Sequence, residues 1–355
     1  MGQVRIKDIA ERAGVSIGTV DRVLHNRGRV SESAAKRVKE AISTLNYNPN
    51  LMARSLANGK RYRIATIIPN SDNDDFWKAQ RKGIQKATEY MLNYGFEIVN
   101  YEFNDQKPRV LLDLMNHFFS EQYDGLLIAP TLKDEGIKFL NACDLHNLPY
   151  VQINSYINRS GQYAIGYVGQ DSFQSGLLAA KLLDISIDPN GGLLIIHMEK
   201  ETTTGPHMLK KEQGFEQYFC SSNNGSRNIV KLWISDYRDQ KILRLHLEDY
   251  LNRFKNISGI FVTTSRCHHI ARALLSIGRE DLVVIGFDLI EENIDVLKDY
   301  KRLFLINQNP VLQGYYGLMN FFDLFLKKNL IIEKRYLPLD IVTFENAQNY
   351  IHGES

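Results

Sequence analysis

Two groups of side chains in this sequence have the types and spacing to do chemistry. The first lies in SIGTVDRVLH, residues 16–25. If this stretch is a helix, Val20, Val23 and Leu24 turn inward. Ser16, Ile17, Gly18, Thr19, Asp21, Arg22 and His25 are then left facing outward. A short helix presented this way can lie in the major groove of DNA. Arg22 can there offer two donors to O6 and N7 of one guanine. Ser16 and Thr19 suit phosphate oxygens, while Ile17 and Gly18 offer apolar contact and close approach. Outside such a motif Arg22 would be an ordinary solvated arginine. The second group is Cys267-His268-His269, three metal-ligating types in a row. Adjacent residues on a helix point apart, and no acid follows at i+3 or i+4, so a metal site is not expected. No GxSxG, HExxH or P-loop pattern occurs. No catalytic residue, metal or cofactor is therefore expected, and the chain does not read as an enzyme.

The elements that must position the first group are legible around it. Ile6, Ile9, Ala10 and Ala13 recur at helical spacing. Gly14 can end that helix at positive φ, and Ser16 can cap the next. Two short helices joined by the turn 14–16 make a helix-turn-helix. A break follows at 26–28. Ser31 then begins a third helix, with Ala34, Ala35, Val38, Ala41, Ile42 and Leu45 on its inner face. Tyr47-Asn48-Pro49-Asn50 is a turn cluster, and the helix expected at 51–58 is too short to hold itself in water. Residues 1–62 hold twelve Lys and Arg against five Asp and Glu, a net of +7, and the remainder is −5. A small basic head on a mildly acidic body points the head alone at a polyanion.

From Arg63 the texture changes. Apolar strand-like runs at 64–69, 96–103, 125–130 and 150–154 alternate with helical stretches at 76–94, 108–122 and 133–146. The alternation restarts with helix 172–184, strand 192–197, helix 210–220, strand 229–234, helix 240–254, strand 259–263, helix 267–277 and strand 282–287. Repeated strand–helix order implies parallel sheets with right-handed crossovers. Two such series imply two lobes with a cleft between them. A last helix, expected at 310–328, is apolar on several faces, as at a lobe or dimer interface.

IKDIAERAGVSIGTVDRVL, followed by RVSESAAKRVKEAISTLNYNPNLMARSLANGK, resembles the head and hinge of the LacI/GalR-type family of bacterial transcription regulators. In the body, DDFW, VGQDSFQSGLLAAKLL, KEQGF, IGFD and INQNP resemble that family's periplasmic-sugar-binding-protein-like effector domain, in order. The resemblance covers essentially the whole chain. It implies a small all-α helix-turn-helix domain at 1–48 and a hinge at 49–62. A two-lobed α/β domain with parallel sheets follows at 63–355. The N-lobe would comprise about 63–169 and 309–330, and the C-lobe about 170–308 and 331–355. It further implies that hinge helices pair in the DNA minor groove, Leu56 wedging between base pairs and Arg54 reaching phosphate; otherwise Leu56 is a buried linker residue. Carried over by position, the cleft is lined by Asp74, Phe76, Trp77, Asn154, Lys211, Thr264, Phe287, Asp288 and Gln308. Phe76 and Trp77 could stack on a sugar ring or simply pack in a core. Asp288 could cap a helix, contact ligand, or do both. This chain departs from the family at Asp21, usually Ser, at Lys211, commonly Arg, and at Thr264, commonly Asn. With Asp74 also replacing an amide, the charge pattern is unusual, and a phosphorylated or acidic ligand stays open beside a neutral sugar.

The expected function is a transcription regulator, a repressor, whose affinity for a pseudo-palindromic double-stranded DNA operator is set by a small carbohydrate effector. A homodimer is expected. No leucine heptad follows Val342, so a tetramer seam is not. The alternative is a solute-binding protein of a transport system, using the same two-lobed body without need of a basic head. Cys143, Cys220 and Cys267 are widely spaced, with no CxxC pair, which fits a reducing cytoplasm. The start MGQVRIKD has no apolar signal core, and no run of about 18 apolar residues would span a membrane.

Overall fold

The structure is a computed structural model. It describes residues 4–24, 28–45, 60–72, 74–104, 107–158, 161–201, 205–221, 227–327 and 333–352. The chain divides into two compact units, Met1–Gly59 and Lys60–Ser355.

In the first unit α1 (Ile6–Ala13), α2 (Ile17–Leu24) and α3 (Glu32–Thr44) close on one small core. Ile9, Ala10, Ala13, Val20, Val38 and Ala41 are buried there, flanked by Val15, Val23, Leu24 and Ile42. The helix ends are set by local chemistry. The Asp8 carboxylate accepts the Arg5 backbone N–H at 2.7 Å. Gly14 takes φ +62, which lets the Val15 N–H reach back to the Ala10 carbonyl at 3.0 Å. Ser16 Oγ accepts the Thr19 N–H at 3.2 Å, and Ser31 Oγ accepts the Ala34 N–H at 3.4 Å. The hinge at 49–62, up to residue 59, lies outside the described residues.

The body runs β1 (Tyr62–Pro69), α4 (Asp75–Leu92), β2 (Phe96–Phe103), α5 (Pro108–Phe118), β3 (Gly125–Ile128), α6 (Lys133–Leu145), β4 (Tyr150–Ile153) and β5 (Ala164–Gly169). It continues with α7 (Ser172–Ser186), β6 (Gly192–His197), α8 (Pro206–Ser221), β7 (Ile229–Trp233), α9 (Gln240–Arg253), β8 (Ile257–Val262), α10 (Cys267–Ser276), β9 (Val283–Phe287), α11 (Glu291–Leu297) and β10 (Leu303–Asn307). Next come α12 (Pro310–Phe322), a π-helical turn (Asp323–Lys327), β11 (Lys334–Tyr336), β12 (Asp340–Val342) and α13 (Phe344–His352). Two six-stranded sheets result, ordered β11-β5-β4-β3-β1-β2 and β12-β10-β9-β8-β6-β7. The first is parallel throughout, and in the second β12 alone runs antiparallel. Omitting β11 and β12, the two orders are the same. In each lobe the order reverses between the first and third strands, where open α/β sheets leave a crevice at their C-terminal edge. Among the described residues no helix is long and apolar enough to cross a membrane.

Several boundaries differ from the sequence reading. The last passage between lobes was expected near Leu330. Instead Lys334–Tyr336 pairs in parallel with β5, so the passage lies between Tyr336 and Asp340. A three-residue strand is too short to show alternation, which is why the sequence hides it. Helix α5 stops at Phe118 rather than residue 122, and α12 gives way to a π turn at Asp323. Strands β5, β10 and β12 and helices α11 and α13 were not anticipated as elements.

Candidate ligand cavity and DNA-reading helix

On α2 the outward positions lie as the periodicity requires. Ser16, Ile17, Gly18 and Arg22 are exposed, while Thr19 and Asp21 are half-buried. Ile17 is 54% exposed, the largest exposure of a large apolar side chain among the described residues of this unit. Ser16 and Thr19 pair with each other, Oγ to Oγ1 at 3.0 Å, as part of the helix cap. His25, Arg54 and Leu56 lie outside the described residues.

In the body, a cavity of about 580 Å³ opens between the lobes, within the roughly 300–1,000 Å³ usual for small-molecule sites. Seven of the nine expected residues line it: Asp74, Phe76, Trp77, Asn154, Lys211, Thr264 and Gln308. The other two, Phe287 and Asp288, were expected in the lining. They are fully buried and lie outside the lining. Strand ends explain the convergence. Asn154 follows β4, Thr264 follows β8 and Gln308 follows β10, while Asp74 caps α4 by accepting the Phe76 N–H at 3.1 Å.

Each lining side chain has a definite state. Phe76 and Trp77 meet edge to face, centroids 5.0 Å apart, and both are nearly buried while still lining the cavity. Asn154 holds φ +61 and its carbonyl accepts from the Tyr167 hydroxyl at 2.9 Å. Lys211 Nζ donates to the Thr263 carbonyl at 3.0 Å and lies 3.4 Å above the Phe287 ring. Burial pushes its amine down to about 7, against the opposing pull of Asp288. The Asp288 carboxyl is itself raised by burial, although Ser265, Lys211 and Gln308 favour its anion. Asp288 accepts Ser265 Oγ–H at 2.6 Å and the Gln308 N–H at 3.0 Å, and also bonds the Gln308 side-chain amide.

Gln308 and Gln170 sit at two of the passages between the lobes and are hydrogen-bonded to each other. From there the polar chain continues. Gln313 Nε2 donates to the Gln308 carbonyl at 2.9 Å, and Gln80 Nε2 to Gln313 Oε1 at 2.9 Å. Cavity, passage and the α4–α12 pair are thus one buried hydrogen-bonded string.

Arg266, missed in the sequence, crosses the cleft. Its Nη2 lies 2.7 Å from Asp74 Oδ2, and its Nη1 is 3.8 Å from Glu199. Burial alone would lower the guanidinium, but Asp74, Tyr237 and Glu199 outweigh it and leave it raised. His207 and Thr131 were also missed. His207 Nδ1 and Thr131 Oγ1 are buried in the lining without a hydrogen-bond partner in the protein. The available signal for Arg266 was its position just past the apolar run of β8, where strand-end residues reach a crevice.

Cys267, His268 and His269 are spent on neighbours. Cys267 Sγ and His268 Nδ1 meet Asn293 Oδ1 at 3.3 and 3.0 Å, and His269 Nδ1 meets Gln240 Nε2 at 2.9 Å.

Residues 64–329 match the periplasmic binding protein domain family, and residues 5–50 match the bacterial regulatory proteins, lacI family. The sucrose operon repressor of Lactococcus lactis is 26% identical over 291 residues, covering 80% of this chain and 83% of that one. Among solved structures, a protein from Bacteroides fragilis described as a LacI transcriptional regulator aligns with TM-score 0.74 at 24% identity, covering 82% of this chain and all of that one. An ABC transporter solute-binding protein from Agrobacterium vitis, bound with alpha-D-tagatopyranose, aligns with TM-score 0.70 at 21% identity over 83% of this chain and 98% of that one. At these identities the structural likeness shows the fold.

Proposed function

The chain belongs to the lacI family of bacterial regulatory proteins, built on a periplasmic binding protein domain, and on that premise we propose how it works. It is a homodimeric repressor, acting in the cytoplasm where its DNA lies. It binds a pseudo-palindromic operator, with an affinity set by a carbohydrate in the interlobe cavity. One observation carries this reading: a family DNA-reading head shares the chain with a cavity of about 580 Å³ lined by aromatic faces and hydrogen-bonding groups. A sugar presents both surfaces. Its C–H face suits Phe76 and Trp77, and its hydroxyls, donors and acceptors at once, can pair Thr131 Oγ1 and His207 Nδ1. Buried polar groups left unpaired cost about 1–3 kcal/mol each, so a polyol that pairs them is favoured. The sucrose operon repressor and the tagatopyranose-bound protein support the same ligand class.

The coupling follows from the string through Asp288, Gln308, Gln313 and Gln80. A ligand that shifts one lobe against the other must re-seat Gln308 at the passage, and with it α12 and α4. On α2, Arg22 reads bases directly, and Ile17 and Gly18 contribute contact without hydrogen bonds. Leu56 and Arg54 take the minor-groove wedge and a phosphate. Asp74, Phe76, Trp77, Asn154, Thr264 and Gln308 hold the ligand, while Lys211, Phe287 and Asp288 support the floor.

The test selects DNA from a random pool with the purified full chain, then titrates sugars against the selected duplex by fluorescence anisotropy. Two-fold symmetric sites whose affinity changes with a sugar are expected. Selection of asymmetric single half-sites would remove the dimer, and indifference to every sugar would remove the effector.

A further inference from the structure

We propose that the Asp74–Arg266 ion pair is a charge filter, which makes the interlobe cavity take uncharged polyols and refuse sugar phosphates and sugar acids. The inference rests on the carbohydrate reading above and narrows it.

An anion entering a partly buried site needs a cation with donors to spare. The cations around this cavity are already committed. Arg266 faces two carboxylates, Asp74 at 2.7 Å and Glu199 at 3.8 Å. It belongs to the second lobe and Asp74 to the first, so the pair closes across the cleft itself. Its side chains remain only 19% and 17% exposed, which keeps solvent screening low. Lys211 gives its amine to the Thr263 carbonyl and the Phe287 ring and is opposed by Asp288. Lys200 is exposed, where solvent screens its charge, and it too has a partner within the protein. The imidazole of His207 is held neutral near neutral pH, pushed down to about 3 by burial and then by Lys211 and Arg266.

The acids tip the balance further. Asp74, Glu199 and Asp236 all line the cavity, so a phosphate or carboxylate would meet like charge there. The buried lining atoms left without a partner are of the neutral kind, Thr131 Oγ1 and His207 Nδ1. A hydroxyl can satisfy either, and a polyol reaches both without bringing charge.

The filter is testable because the pair can be opened on one side without losing the helix cap. Asp74→Asn keeps an oxygen for the Phe76 N–H, since Asn caps as well as Asp, and removes only the charge. Calorimetric titration and melting shifts on the full chain should use matched sets: D-glucose, glucose 6-phosphate and D-glucuronate; D-ribose and ribose 5-phosphate; D-fructose and fructose 6-phosphate; sucrose and sucrose 6-phosphate. The wild type should bind a neutral member about tenfold or more tightly than its anionic counterpart. In Asp74→Asn the released Arg266 should raise the anionic-to-neutral affinity ratio by about tenfold. Arg266→Gln leaves Asp74 anionic and should gain no anionic ligand. Wild-type preference for a phosphate or uronate in any set overturns the filter and leaves the sugar reading standing. So does an unchanged ratio in a folded Asp74→Asn. If that variant does not fold, Arg266→Gln decides, an acquired anionic ligand being the overturning result. Failure of every sugar, neutral or anionic, to bind the wild type removes the carbohydrate reading and the filter together.

Discussion

Lys211 stands where the family resemblance led one to expect an arginine, and its surroundings show what a lysine does there. A compact ammonium fits over the Phe287 ring and reaches one carbonyl; a planar fork would need more room and more acceptors. Burial lowers its pKa to about 7 from the ordinary 10.5 of a lysine. At pH values between these, the unfolded chain holds that proton and the folded chain has begun to release it. Stability from this group therefore rises as pH rises through the window. Wild type should gain stability relative to Lys211→Met between pH 6.5 and 9, read as the difference in melting temperature. A difference independent of pH in that range would show that the amine is not held in this state. The bridging role passes to Arg266, whose guanidinium spans Asp74 and Glu199.

The same device recurs between elements in both lobes: a glycine on each of two helices lets their backbones touch. A Cβ on Gly83 of α4 would lie 1.9 Å from the Val311 carbonyl oxygen of α12, and one on Gly314 would lie 2.2 Å from that of Gln80. In the second lobe, Gly176 of α7 stands 1.9 Å from the Lys211 carbonyl oxygen by the same measure, and Gly214 of α8 2.0 Å from that of Phe173. The obstacle is backbone in each case, so it cannot swing aside. Gly214→Ala must push α7 and α8 apart, at a cost of roughly 1–3 kcal/mol. Since α8 also carries Lys211 and lines the cavity with His207, the same change should weaken ligand binding. Denaturant unfolding would read the first effect, and an unchanged midpoint would mean that the helices already have slack. On α4 and α12 the close approach also brings Gln80 within 2.9 Å of Gln313, the step by which the passage residues reach that helix pair.

For the whole molecule, linkage sets a quantitative demand. A sugar that weakens operator binding by some factor must itself bind more weakly to operator-bound protein by that same factor. Titrating the sugar into free protein and into the protein–operator complex gives both factors. Factors that disagree would mean that the cavity and the DNA-reading head are not coupled through one two-state equilibrium. The demand holds whichever direction the ligand pushes. On the proposed reading, Ile17 and Gly18 at the groove would leave direct hydrogen-bonded readout largely to Arg22, and half-site spacing and a bend at Leu56 would carry more of the specificity.

The head was legible in the sequence because everything that makes it is local. A 3.6-residue period, a glycine free to take φ +62 and two serines bonding three residues ahead are all short-range. The parallel strands were legible for a related reason: runs buried on both faces are continuously apolar, as in IATIIP and GLLIIH. Seven cavity residues could be placed because the motifs that resemble the family's fix their positions, at strand ends and on helices that border the crevice. Tertiary structure alone decided which neighbours meet. Asp74 and Arg266 are 192 positions apart, and no pattern along a chain records a charge pairing across two lobes. It also decided depth, since Phe287 and Asp288 leave a strand end as their neighbours do yet fold beneath the cavity. The strand Lys334–Tyr336 exists only because β5 offers it an open edge. Each of these depends on a partner brought from elsewhere in the chain, which local spacing does not encode.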